Sequence, residues 1–165
     1  MKPYPLTAIL ALRVQKEDEA QKKLSIAHAV EAQRRDAVTA AQQALTHYLD
    51  WNQKETERLF ATILGAPHSL HKITETTNQI SWNRSQQATY VVALEEAQKK
   101  LQAAVVETVA RLQEQQDAYK EVWKIDKHQE MWMKEEEVRE EKEEEDDMEE
   151  TAATIYAMNQ RLRNS

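Results

Sequence analysis

The chain has one glycine in 165 residues, and its surroundings constrain the fold more than any other stretch. It lies in Leu64-Gly65-Ala66-Pro67-His68-Ser69. Glycine readily takes the left-handed conformation that closes a helix. A proline just beyond it cannot extend that helix, and it pushes the preceding residue out of the α region. Ser69 then suits the N-cap of a new helix. Stop, break and restart predict a tight turn at 64–69. Helix 1 is expected over about 5–63 and helix 2 over about 70–150, with a terminal segment at 151–163 that can stand apart. Pro5 suits the first position of helix 1, where its missing N–H costs nothing.

The apolar pattern tests that reading. Leu10, Ala20, Leu24, Ala27, Val38, Ala41, Leu45, Tyr48 and Leu59 fall in one seven-residue frame before the turn. Leu70, Ile73, Ile80, Val91, Leu94, Leu101, Val105, Leu112, Tyr119 and Val122 fall in another after it. Mirrored through Ala66, the two frames meet: Leu10 opposite Val122, Ala20 opposite Leu112, Val38 opposite Leu94, Leu59 opposite Ile73. The predicted fold is therefore all-α, a long two-helix antiparallel coiled-coil hairpin forming one elongated domain. Helix 1 alone would run to roughly 85 Å. The mirror exhausts the N-terminus near Lys127, so helix 2 is expected to overhang unpaired from there. Glu31 and Arg34 stand at seam positions opposite Leu101 and Gln98, where polar residues set register.

Composition supports long helices, with few breakers and many Ala, Gln, Glu and Lys. A two-helix seam encloses no deep cleft, which argues against an enzyme. Glu135 to Glu150 carry twelve carboxylates against Arg139 and Lys142, more than the whole chain's net charge of −7. No basic stripe remains for nucleic acid. No apolar run approaches the length of a membrane span, and no small-residue cleavage site follows Met1-Lys2, so no signal peptide is expected. Cysteine is absent, which fits a reducing compartment. His68 and His71 have metal-compatible spacing but no third ligand nearby, and one glycine cannot build a phosphate-binding loop. No cofactor, metal or catalytic residue is expected.

What remains are surfaces. Leu6, Ile9, Leu10, Leu12 and Val14 outnumber what one seam can bury; they suit either a staple onto helix 2 or an apolar tip for a partner. Tyr48, Leu49, Trp51, Leu59, Phe60 and Ile63 cluster near the turn, with Trp51, Phe60 and Ile63 beside the seam, as local packing or as interface anchors. Met131-Trp132-Met133 precede the acidic block. Ile155, Met158 and Leu162 follow it at helical spacing, as in a helix that orders on a partner.

These residues carry a resemblance. Tyr48-x-x-Trp51 followed by Glu57-Arg58-Leu59-Phe60, the turn and helix 2 are similar to the YscO/FliJ-like family of type III secretion central stalk proteins. Tyr4-Pro5-Leu6 with Leu10 and Arg13, and Trp132-Met133-Lys134-Glu135 before the acidic stretch, resemble its chlamydial members. The resemblance implies a cytoplasmic stalk, a monomer on its own, joining a hexameric secretion ATPase to the export gate and binding secretion chaperones. It would not insert in the membrane. It implies ATPase contact through Leu6, Leu10, Arg13, Met131, Trp132 and Met133, and gate contact through Tyr48, Trp51, Leu59 and Phe60. The residues alone leave two other readings open: an escort for chaperones or substrates, and a structural coiled coil that oligomerises.

Overall fold

The computed structural model describes residues 3–163. Met1 and Lys2, which head the stretch read for a signal peptide, lie outside the described residues. Two helices, α1 (Thr7–Ile63) and α2 (Leu70–Arg163), pack against each other with no strand among the described residues. The fold is an all-α helical hairpin.

The turn forms for the reasons its residues give. Leu64 N–H still donates to the Phe60 carbonyl, and Gly65 then takes a φ of 96°. Ser69 caps α2: its Oγ accepts from Lys72 N–H at 3.3 Å, and its carbonyl accepts from Ile73 N–H. A Cβ added at Gly65 would meet nothing within 4 Å, so only the backbone conformation demands glycine there. Gly65→Ala is expected to cost about 1 kcal/mol through that conformation alone, and Gly65→Asn less. Thermal unfolding of the two variants checks this, and an alanine variant as stable as the parent would show that the turn relaxes.

α1 begins at Thr7, with Pro5 in the turn before it. Leu6 carbonyl accepts the first helical bond, from Leu10 N–H. α2 runs without interruption through the acidic block and the terminal segment to Arg163.

The chain packs as two units. One comprises the residues up to Gln21 with those from Glu114 onward; the other is Lys22–Gln113. Within the second unit Leu24, Ala27, Ala104 and Thr108 are buried, and Glu31, Val38, Ala41, Leu45, Tyr48 and Leu59 are half-buried. Its α2 seam steps by threes and fours through Thr76, Ile80, Asn83, Gln87, Tyr90, Leu94, Ala97, Leu101, Ala104, Thr108 and Arg111. Within the first unit Tyr4, Ala20, Val122 and Glu136 are buried. The α2 seam there is Gln115, Ala118, Val122, Ile125, Gln129, Trp132 and Glu136.

Three expectations need correction. Leu112 and Tyr119 are exposed, because the covered positions lie one residue earlier, at Arg111 and Ala118. Small and polar side chains occupy that face, where the seven-residue frame had selected bulk. Leu70 and Ile73 are also exposed, at the start of α2 beside the turn. Arg34 and its expected partner Gln98 both face solvent, while Glu31 stays on the seam. Its carboxylate accepts from Arg35 at 2.6 Å. That bond, with the Thr108 hydroxyl beside it, holds Glu31 below the ordinary glutamate range.

The overhang also begins later than Lys127. Ile125 and Trp132 carry the seam one position away from Asp126 and Met133, and cover on α2 extends to Glu140. From Glu141 to Arg163 every residue is exposed.

Candidate interaction surfaces

In the unit that holds the turn, Tyr48 organises the aromatic residues. It is half-buried on the α1 seam and stacks on Tyr90 of α2, with ring centroids 4.5 Å apart and planes inclined by 20°. Its hydroxyl donates to the Asn83 carbonyl. The Asn83 side chain is buried and accepts from Gln79 Nε2 at 2.9 Å. Burial, and then the neighbouring Tyr90, push the Tyr48 phenol up from its ordinary value. Trp51 tilts onto the Tyr48 ring at 5.4 Å but stays 47% exposed. Ala44, His47, Tyr48, Trp51 and Tyr90 line an open groove.

The other two residues expected at this surface stand apart from that groove. Leu59 is half-buried on the seam and Phe60 is 42% exposed. At about 100° per residue, nine residues place Phe60 about half a turn around α1 from Trp51. The two aromatics therefore flank the seam on opposite sides. Leu64 and Leu70, on either side of the turn, are also largely exposed. They were missed as surface candidates, although two leucines flanking Gly65-Ala66-Pro67 exceed what a turn requires. Tyr90 was missed because nothing in its own neighbourhood marks it; only the register brings it to Tyr48. Trp82 is exposed.

The middle of this unit is less polar than expected. Lys23, Ile26, Ala27, Val30, Ala104, Glu107 and Arg111 line a groove between the helices, and Ile26 is mostly exposed within it. Arg111 Nε is paired with Glu107 at 2.7 Å.

The unit that holds the chain's ends is closed by Tyr4. Pro5 biases the residue before it towards extended backbone, and the Tyr4 carbonyl accepts from Thr7 Oγ1 at 2.6 Å. The ring is 6% exposed and meets the edge of Trp132, with centroids 5.5 Å apart. Its hydroxyl lies 2.8 Å from His128 Nδ1 and donates to it when that nitrogen is unprotonated. One turn further on, Glu136 is 1% exposed and accepts from Arg139 at 2.7 Å. Burying a carboxylate without partners is costly, so Glu136 depends on these contacts.

Of the residues expected at the ATPase end, Leu6, Leu10 and Arg13 are half-buried along the seam. Arg13 lies 3.8 Å from Glu121, whose carboxyl is lowered chiefly by a hydrogen bond from Lys124 and only slightly by Arg13. Met131 and Met133 are exposed, whereas Trp132 is partly covered by Tyr4. Ile9, Leu12 and Val14 are exposed in the same unit, as are Tyr119 and Trp123 on α2.

The depressions in this fold are open grooves, and no cluster of metal-ligating side chains occurs among the described residues. No helix is long and apolar enough to cross a membrane among them. The class defined is a helical hairpin with exposed apolar and aromatic side chains. The model of the family described as type III secretion protein YscO matches residues 6–154, so the chain belongs to the YscO family of type III secretion proteins. A solved structure from Chlamydia trachomatis, described as that of a YscO homolog, matches it with a TM-score of 0.77. The match covers 96% of this chain and 99% of that one at 20% identity, a likeness of fold. No curated protein matches the chain.

Proposed function

We propose that this type III secretion protein is a non-enzymatic central stalk that couples the hexameric secretion ATPase to the export gate on the cytoplasmic side. One observation carries the reading: two separate units of one hairpin each expose their own apolar and aromatic side chains. Trp51, Phe60 and Leu64 do so in the turn unit, and Ile9, Leu12, Met131 and Met133 in the unit of the chain's ends. Two such surfaces suit a chain that holds two partners. Trp51 and Phe60, with Tyr48 and Leu59 between their flanks, would meet the gate. Leu6, Leu10 and Arg13, with Met131 to Met133, would meet the ATPase. The chain would act on hydrolysis by favouring one state of the hexamer, with no side chain in the chemistry.

The test is the hydrolysis rate and hexamer fraction of the cognate ATPase with and without this chain. Coupling free energies of about 1–3 kcal/mol correspond to a several-fold or larger change. Both quantities are expected to rise on addition of the chain. No change in either would dismiss the stalk role.

The aliphatic groove around Ile26 and Val30 favours a second reading, an escort for secretion chaperones or their cargo. On that reading, Ile26→Ser with Val30→Ser abolishes chaperone binding and leaves ATPase stimulation unchanged.

A further inference from the structure

We propose that the end of α2 is a docking strip for a basic amphipathic helix of a partner protein. The strip is defined by its apolar seam. Met148, Thr151, Ile155, Met158 and Leu162 are spaced three and four apart, the pattern that keeps one helix face against another. The four apolar members are each more than half exposed. Met148, Thr151 and Ile155 line one shallow depression with Asp147 and Ala152. They therefore share a face.

The chain's own α1 does not serve this face. The covered α2 positions in the same unit end at Glu140, and from Glu141 to Arg163 every residue is exposed. The apolar strip therefore lies wholly beyond the covered stretch of α2.

Charge identifies the occupant. Seven carboxylates between Glu143 and Glu150 flank the start of the strip, and Arg161 and Arg163 stand at its far end. Glu140 and Glu144, Glu141 and Glu145, Glu143 and Asp147, Glu145 and Glu149, and Asp146 and Glu150 are like-charged pairs four residues apart. Each such pair weakens a helix. A single helix with no packed face is already marginal in water. A partner helix with Lys or Arg beside its own apolar seam would correct both deficits. A second copy would not: side by side in parallel, the acidic blocks coincide, and in antiparallel array two arginines per copy face seven carboxylates. This inference uses residues outside the proposed ATPase and gate surfaces, so it stands or falls independently of the stalk role.

The test titrates the full chain with a labelled synthetic helix of about four heptads, with Leu at the seam and Lys on both flanks. Two controls are a scrambled peptide of the same composition and a peptide with Glu on both flanks. The Lys heptad peptide is expected to bind at least tenfold more tightly than either control, to weaken with added salt, and to raise helicity by circular dichroism. Ile155→Ser with Met158→Ser is expected to lose at least tenfold in binding, and Ile155→Leu with Met158→Leu to retain it. Equal binding by the scrambled peptide would reduce the effect to bulk acidity and overturn the strip. So would an unchanged serine variant. A free chain that scatters light as a dimer, and as a monomer when both serines are present, would make a second copy the occupant and overturn the proposal.

Discussion

Trp51→Ala combined with Phe60→Ala is expected to lower affinity for the export gate about a hundredfold or more while leaving the helical content of the chain unchanged. Buried aromatic anchors at interfaces commonly contribute 2 kcal/mol or more each, roughly thirtyfold in a dissociation constant. In the free chain both rings are nearly half exposed, so little packing is lost when they are removed. Trp51 gives up one tilted contact with Tyr48, at about 0.5–1.5 kcal/mol. The single variants sharpen the result. Trp51 adjoins the Tyr48–Tyr90 stack and its groove, whereas Phe60 lies on the other flank of α1. A gate that docks in the groove feels Trp51→Ala strongly and Phe60→Ala weakly; a gate that straddles the turn feels both, additively. The measurement is gate affinity by calorimetry alongside circular dichroism. Loss of helicity in the double variant would make these rings part of the core.

The hairpin was legible because the interior breakers, Gly65 and Pro67, fall in one short turn and the seven-residue frame of α1 holds from Leu10 to Leu59. Leu10, Ala20, Leu24, Ala27, Val38, Ala41, Leu45, Tyr48 and Leu59 are all buried or half-buried. α2 was harder because it carries two stripes. Val106, Val109, Leu112, Tyr119 and Trp123 are large and exposed, while the partner-facing positions include Ala104, Thr108 and Ala118. Periodicity weighted by bulk places Ile80, Leu94, Leu101 and Val122 on the covered face but takes Leu112 and Tyr119 from the exposed one. Ala27 and Ala104 are both buried and line the same groove, a pairing of small residues that is invisible until the two helices are brought together.

The candidate surfaces divide in the same way. Trp51 beside Tyr48 follows from a spacing of three on a helix, but Tyr90 and Asn83 join them only through register. Glu136 had no signal at all. It is one of twelve acids in a block that reads as solvated. Its burial is set by tertiary packing in the unit that also buries Tyr4 and half-buries Trp132, which no local pattern can place.

Those residues set the second large effect. Tyr4→Ala is expected to open the end of the first unit, at a cost of about 3 kcal/mol to the segment it covers. The ring is almost wholly buried and is held by Trp132 and His128. Tyr4→Phe keeps the ring and loses only the hydroxyl bond to His128, about 1 kcal/mol. Because the cluster lies at the start of α1, the alanine variant need not unfold the chain; terminal elements open locally at lower free energy than the whole. Amide exchange reads the difference. Protection is expected to fall by about a hundredfold in residues 128–136, and to hold in Leu24 to Leu45. If exchange at 128–136 does not change, another group covers Trp132 and Glu136. If it rises over both units, Tyr4 supports the pairing of the helices throughout. On the local outcome, Trp132 becomes exposed beside Met131 and Met133, so Tyr4 decides how much of that apolar group a partner meets. An ATPase that seats all three should then bind the alanine variant more tightly, and one that reads only the two methionines should not distinguish it from the parent.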